Sequence, residues 1–152
     1  MKLFTLFLVG VFFSPLAMAS NEEALQKLEA FLSINDQSVR TYQGSVARFP
    51  RRGCQLRVSP KGDGLLLTLS APRRTREFII TASGKTACGQ SNQVRALCSD
   101  ADCCGESLQI DSQVNNCCGC GYETIALSRN SKGNIQAVTV KNSGSMVLHC
   151  LF

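Results

Sequence analysis

The chain has few of the residues on which many catalytic sites depend. Its 152 residues include one histidine and no tryptophan. A single histidine excludes any site that needs two or more, and the length suits one domain rather than a multidomain enzyme or a solenoid of repeats. Hydrophobic residues make up 44% of the chain and charged residues 18%. This balance is typical of a folded domain, and it argues against a disordered chain or a membrane bundle.

Long apolar runs are also lacking. Residues 3–13 form an 11-residue apolar run, too short to span a bilayer, and no later stretch approaches 18 residues. Lys2 precedes this run, Pro15 follows it, and Ala17-Met18-Ala19 matches the A-x-A pattern of a signal-peptidase site. The sequence therefore predicts a signal peptide over residues 1–19 and one mature domain over residues 20–152, secreted or periplasmic.

Cysteine, by contrast, is abundant. All nine cysteines lie in the expected mature chain, and in an oxidising compartment they predict a framework of disulfides. Because the number is odd, one cysteine is left unpaired, which leaves a covalent dimer open. Spacing alone does not decide the remaining pairings. The nine are Cys54, Cys88, Cys98, Cys103, Cys104, Cys117, Cys118, Cys120 and Cys150.

One pairing follows from position. Cys54 shares a strand face with Leu56 and Val58 in a clean alternation, and Cys150 shares one with Leu148. Two inward cysteines on an early and a final strand are suited to joining the ends of one sheet. We therefore predict a Cys54–Cys150 disulfide.

The remaining pattern predicts mostly strands. Residues 21–33 form a helix candidate, with apolar residues at helical spacing after a capping Asn21 and two acidic residues. From Ser45 onward the apolar period is two, interrupted by turn signals at residues 59–62 and 130–133. The predicted fold is mainly β: a small antiparallel barrel or sandwich of about seven or eight strands, with a short N-terminal helix and disulfide-pinned loops.

Positive charge is concentrated in one block. Residues 48–76 carry a net charge of +7, whereas residues 20–47 carry −2 and residues 77–152 carry −1. If a turn at residues 60–62 closes a hairpin, the arginines on both sides of it emerge at the same end. Guanidinium groups clustered in this way suit phosphate or carboxylate ligands, although a solvated basic face is the simpler alternative. The candidate ligand-binding residues are Arg48, Arg51, Arg52, Arg73, Arg74 and Arg76.

This cluster gives the leading functional hypothesis. We expect a non-enzymatic binding protein, without a cofactor, that engages an anionic envelope component or an acidic protein partner. Nucleic acid fits poorly, because aromatic residues are few and no recognition helix is evident. Catalysis is disfavoured because His149 is the only histidine and lies in an apolar strand pattern.

The cysteine-rich segment supports an alternative. Residues 103–120 contain closely spaced cysteines and glycines that suit a soft metal ion or thiol chemistry, which would make the chain a metal-handling or thiol-redox protein. Structural disulfides are favoured, because neither cysteine pair has the usual zinc spacing. Asp100, Asp102 and Asp111 give a weak match to a calcium loop, in which Cys104 stands where an oxygen ligand is needed.

Overall fold

In the residues that the structure describes, the fold is an antiparallel sheet preceded by one helix. A computed structural model describes residues 21–34, 38–83, 93–98, 105–116 and 119–152. The mainly β class and the N-terminal helix predicted from the sequence are confirmed, and the described residues contain nine strands, close to the seven or eight expected. The elements are α1 (Asn21–Phe31), β1 (Arg40–Val46), β2 (Phe49–Lys61), β3 (Gly64–Ala71), β4 (Arg74–Thr81), β5 (Gln93–Cys98), β6 (Gly105–Asn116), β7 (Gly119–Asn130), β8 (Ile135–Asn142) and β9 (Ser145–Leu151).

The strands form two meanders that meet at β1 and β9. Their order in the sheet is β4-β3-β2-β1-β9-β8-β7-β6-β5, and every neighbouring pair is antiparallel. The sheet curls into a nearly closed barrel whose edge strands are β4 and β5. Helix α1 contacts both edge strands. It therefore covers the seam at which unpaired strand edges would otherwise face solvent.

The barrel interior is the hydrophobic core. Leu65, Leu67 and Leu69 of β3 point inward, as the period of two predicts, and pack in one cluster with Leu28 and Leu32 from the α1 region. Each such side chain stabilises the fold by roughly 1.5–3 kcal/mol through burial. Among the described residues, helix α1 has 11 residues, and none of the helical segments there meets the length and hydrophobicity of a membrane span.

The last turn of α1 ends in a left-handed residue. Ser33 has a φ of 53°, the amide of Ile34 donates to the carbonyl of Glu29 (2.9 Å), and the amide of Ser33 donates to that of Ala30 (3.1 Å). This pair of bonds is the Schellman arrangement, with serine in the position that glycine usually occupies. It satisfies two carbonyls that would otherwise be orphaned at the helix end.

Side chains from two strands donate hydrogen bonds to the next two carbonyl groups at this end of the helix. A guanidinium nitrogen of Arg129 on β7 donates to the carbonyl of Phe31 (3.1 Å), and its Cζ lies 4.8 Å from the centre of the Phe31 ring. The Tyr42 hydroxyl on β1 donates to the carbonyl of Leu32 (3.1 Å). Polar side chains of β1 and β7 thus fix the end of α1 against the barrel.

The Tyr42 contact predicts a loss of stability in alkali. Burial raises the pKa of Tyr42 above its ordinary value of 10.0, and the charge of Arg40 opposes part of that rise. Between the unfolded and the folded pKa only the unfolded chain releases the proton, so stability falls as pH rises past about 10. Tyr42→Phe should lose about 1 kcal/mol at pH 8 and then show a shallower decline by pH 10.5, measured by urea unfolding. Tyr122→Phe, at an exposed tyrosine, is the control, and equal declines in the wild type and Tyr42→Phe would contradict the assignment.

The predicted disulfide joins the two meanders. Cys54 on β2 is bonded to Cys150 on β9, with their Cα atoms 6.1 Å apart. Because β1 lies between these strands, a flat sheet would place them roughly 9–10 Å apart, so the sheet bends sharply at β1. Gly44 lies at the bend, where a Cβ atom would collide with the Leu151 carbonyl oxygen.

The other cysteines predicted to form disulfides lie partly or wholly outside the residues that the structure describes. Cys88, Cys103, Cys104, Cys117 and Cys118 lie outside the described residues, and for Cys98 and Cys120 only the backbone is described. Strands β6 and β7 extend further into the cysteine-rich segment than the sequence pattern predicted, and they bring Cys120 into a strand.

Candidate anion-binding site

Three turns lie together at one end of the barrel, which we call the mouth. They are residues 47–48 between β1 and β2, residues 72–73 between β3 and β4, and residues 143–144 between β8 and β9. Strands β2 and β3 form the hairpin predicted from the sequence, with Gln55 opposite Ser70. Its turn is residues 62–63, slightly later than predicted, and lies at the opposite end. The chain flanking this hairpin therefore returns to the mouth on both sides.

The ends of three adjacent strands create a notch in the mouth. Strand β1 ends at Val46, where a bulge shifts its pairing with β2 from Gly53 to Phe49. Residues 50–52 of β2 form this bulge and pair with no residue of β1, whereas β9 continues beyond the end of β1 through residues 145–149. Because β1 ends early, a space is left between β2 and β9. The turn at residues 72–73 borders this space from the other side of the mouth.

This space is a cavity of about 360 Å³. Its charged wall consists of Arg48, Arg52 and Arg74, which come from the β1–β2 turn, β2 and β4. Among the residues that the structure describes, those lining the cavity include no aspartate or glutamate. Apolar side chains line much of the remainder, including those of Val46, Phe49, Met146 and Leu148. Three positive charges without an opposing carboxylate favour an anionic occupant.

Two of these arginines are held by specific contacts. The Arg74 Nη1 atom donates to the carbonyl of Val147 on β9 at 2.6 Å. This bond reaches across the mouth, because three strands separate β4 from β9 in the sheet. The guanidinium of Arg52 stacks on Phe49, with its Cζ 4.8 Å from the ring centre. A stacked guanidinium keeps its N–H groups at its edge, where they are able to bind a carboxylate or phosphate.

The six predicted arginines separate into three groups. Arg48, Arg52 and Arg74 line the cavity. Arg51 and Arg73 are exposed at the same end but outside the lining, and Arg73 occupies a left-handed turn position with a φ of 69°. Arg76 is directed into the barrel and belongs to a different arrangement.

Arg76 forms an ion pair inside the barrel. Its Nε lies 3.2 Å from Oε1 of Glu123 on β7, whose side chain is 8% exposed. The same oxygen accepts a long contact of 3.4 Å from the Asn142 amide, and the buried Ser112 is directly opposite Glu123 on β6. The buried Nε meets the carboxylate as an ion pair without a hydrogen bond. The pair links opposite walls, because β4 and β7 are far apart in the sheet order.

Sequence reasoning missed the apolar part of the mouth. Phe49 and Met146 are 53% and 52% exposed although both are large and hydrophobic. Sequence alternation does not reveal that these two side chains are exposed, because an exposed apolar residue on a strand resembles a core residue in sequence. The juxtaposition of β9 with the arginines follows only from the β1–β9 pairing.

The remaining sequence candidates do not converge on a second site in the described structure. Asp100, Asp102 and Cys104 lie outside the described residues, and Asp111 on β6 accepts hydrogen bonds from Gln109 and Thr124, both at 2.8 Å. Nowhere in the described ranges do three or more His, Cys, Asp or Glu residues form a group suited to a metal ion. Nδ1 of His149 lies 2.7 Å from the Thr139 hydroxyl, a contact between the paired strands β8 and β9.

The site therefore defines a class of structure: a disulfide-linked antiparallel barrel with a cationic cavity at its mouth. The chain matches no protein-family model, no curated protein and no solved structure. Evidence for a function therefore comes from the side chains of the mouth.

Proposed function

We propose that this chain is an exported, non-enzymatic binding protein that engages an anionic envelope component or an acidic protein partner through its mouth. One observation supports the proposal above the others. Arginines from two segments that are distant in sequence line one cavity: Arg48 and Arg52 beside the β1–β2 turn, and Arg74 at the start of β4. A basic face that serves only solubility needs no such convergence, whereas recognition of an anion does.

The positions of the arginines suit binding better than chemistry. Each guanidinium offers N–H donors in a planar fork that fits a phosphate or carboxylate. Arg74 is already held by its bond to the Val147 carbonyl, and Arg52 is stacked on Phe49. Less side-chain freedom is therefore lost when an anion binds, which favours affinity. The affinity for such anions should fall as the salt concentration rises, because the site opens to solvent.

The test removes the three charges and leaves the fold intact. We expect the triple variant Arg48→Gln, Arg52→Gln, Arg74→Gln to lose at least about tenfold affinity for an anionic probe, since each lost charge-assisted hydrogen bond contributes about 1.5–3 kcal/mol. The probes are vesicles containing one-third phosphatidylglycerol, for an envelope component, and a poly-glutamate peptide, for an acidic protein. Binding is measured by calorimetry at 50 and 300 mM NaCl.

A matched control removes the same charge elsewhere. Arg57→Gln, Lys61→Gln, Lys132→Gln changes three exposed cations outside the mouth lining and should bind like the wild type. If the control loses as much affinity as the mouth variant, binding reflects net charge and the proposal fails. Absence of binding to both probes and to inorganic phosphate would also overturn it.

A further inference from the structure

The cavity wall combines two kinds of surface that one ligand class would use together. Phe49 and Met146 are two of the six large hydrophobic side chains that are exposed in the described structure, and both line the cavity. Exposed apolar residues are usually scattered singly, and their grouping at a cavity is a mark of a binding surface. Leu148, which is buried, continues this apolar wall toward the barrel interior.

Charge and apolar surface lie side by side in this cavity. Arg52 stacks directly on Phe49, which places the guanidinium edge next to the ring. Met146 immediately precedes Val147, whose carbonyl holds Arg74. An occupant that reaches the arginines therefore also reaches the apolar wall.

We propose that the mouth binds a monomeric amphiphile with a single anionic head group, phosphate or carboxylate, and an apolar tail. The head is held by Arg48, Arg52 and Arg74, and the tail lies along Phe49, Met146 and Leu148. This inference rests on the proposed function and specifies its ligand.

An extended acidic ligand fits the same wall less well. A polyanion or acidic peptide would use the exposed Arg51 and Arg73 as much as the cavity arginines, and it would gain nothing from Phe49 and Met146. The volume of about 360 Å³ is at the lower end of the range for small-molecule sites, which suits one head group and part of one chain. Charge complementarity and apolar lining together select the amphiphile.

The experiment compares probes that share a head group and differ in the tail. Decyl phosphate and decanoate, used below their micelle concentrations, are titrated calorimetrically alongside inorganic phosphate and acetate. Each methylene that leaves water favours binding roughly fourfold, so three or more seated methylenes give decyl phosphate at least about 50-fold higher affinity than phosphate. Decanol, which has the tail without the charge, should bind at least about tenfold more weakly than decyl phosphate.

Variants then test the apolar wall, which holds the tail, separately from the arginines, which hold the head group. Phe49→Ser, Met146→Ser should weaken decyl phosphate at least about tenfold more than it weakens inorganic phosphate, which loses only the support that Phe49 gives to Arg52. Both side chains are about half exposed, so the fold should tolerate the change. The matched control is Val39→Ser, Leu151→Ser, which alters two residues of similar exposure, 49% and 43%, outside the cavity lining, and it should bind decyl phosphate like the wild type.

The outcomes distinguish this inference from the proposed function. If decyl phosphate binds no more tightly than phosphate, or the Phe49 and Met146 variant binds it normally, the assignment of an amphiphile as the ligand is wrong. The triple arginine variant still tests anion binding separately. Binding of phosphatidylglycerol vesicles that depends on Phe49, without binding of monomeric decyl phosphate, would also overturn the inference, because it would identify a membrane-docking surface.

Discussion

Replacing Cys54 and Cys150 together by alanine is expected to lower the free energy of unfolding by about 4–5 kcal/mol, as the chain-entropy model gives for a loop of this size. The two cysteines are separated by 96 positions in the sequence, so their bond strongly restricts the unfolded chain. Urea unfolding of the double variant and the wild type, without reductant, measures the difference. Reductant is omitted so that no other cysteine is reduced in either protein.

The position of this bond explains why its loss should also affect the mouth. The two meanders meet along a short pairing, with Ser45 opposite Leu151 and Val46 opposite Cys150. The disulfide spans this junction from β2 to β9, the two strands on either side of the notch. We therefore expect the double variant to bind anionic probes more weakly, even at temperatures at which it is fully folded.

A control separates the cross-link from the packing of its sulfur atoms. Val138→Ala removes apolar volume from a fully buried residue opposite Cys150 on β8 and breaks no cross-link. It should cost roughly 1–2 kcal/mol, in line with other deletions of buried methyl groups. A double cysteine variant no less stable than Val138→Ala would show that the cross-link contributes little beyond packing.

The sequence predicts the parts of this fold that depend on local pattern. Alternation placed Leu65, Leu67 and Leu69 on one inward face, and the same periodicity identified Cys54 and Cys150 as inward residues on an early and a final strand. Helical spacing in residues 21–33 identified α1, whose assigned span is Asn21–Phe31. These features are accessible because each depends on residues that are close in sequence.

Features that depend on pairing between distant segments were less accessible. Strand β1 was missed upstream of Ser45, because Arg40–Val46 is exposed or half-buried and lacks a clean apolar alternation. Its early end creates the notch, so the cavity could not be inferred without it. Five arginines do reach the same end, as the hairpin argument predicted, but which three line the cavity depends on the bulge beside Val46.

The same limit applies to Arg76. In sequence it is one more member of the basic block, yet the strand register places it opposite the inward-facing Leu69. Its partner Glu123 follows it by 47 positions and lies on the far wall of the barrel. A pair of this kind is visible only when the closure of the sheet is known.

This pair gives the second large expected effect. Arg76→Met keeps the length of the side chain but removes its charge, which leaves the carboxylate of Glu123, 8% exposed, without its ion-pair partner. Removing one partner of a buried pair costs about 3–5 kcal/mol. Arg76 itself is 37% exposed, so solvent screens part of the interaction, and we expect a loss near the lower end, about 3 kcal/mol, in urea unfolding.

The reverse substitution should cost less, and this asymmetry is the sharper test. Glu123→Gln retains an oxygen that accepts from Asn142, and the partly exposed guanidinium of Arg76 is able to regain water contacts. In the double variant Arg76→Met, Glu123→Gln no charge remains buried, so most of the loss caused by Arg76→Met should be recovered. Strictly additive effects in this cycle would contradict the pairing, since additivity is the behaviour of residues that do not interact. Recovery would show that the two barrel walls are coupled through one ion pair beneath the mouth.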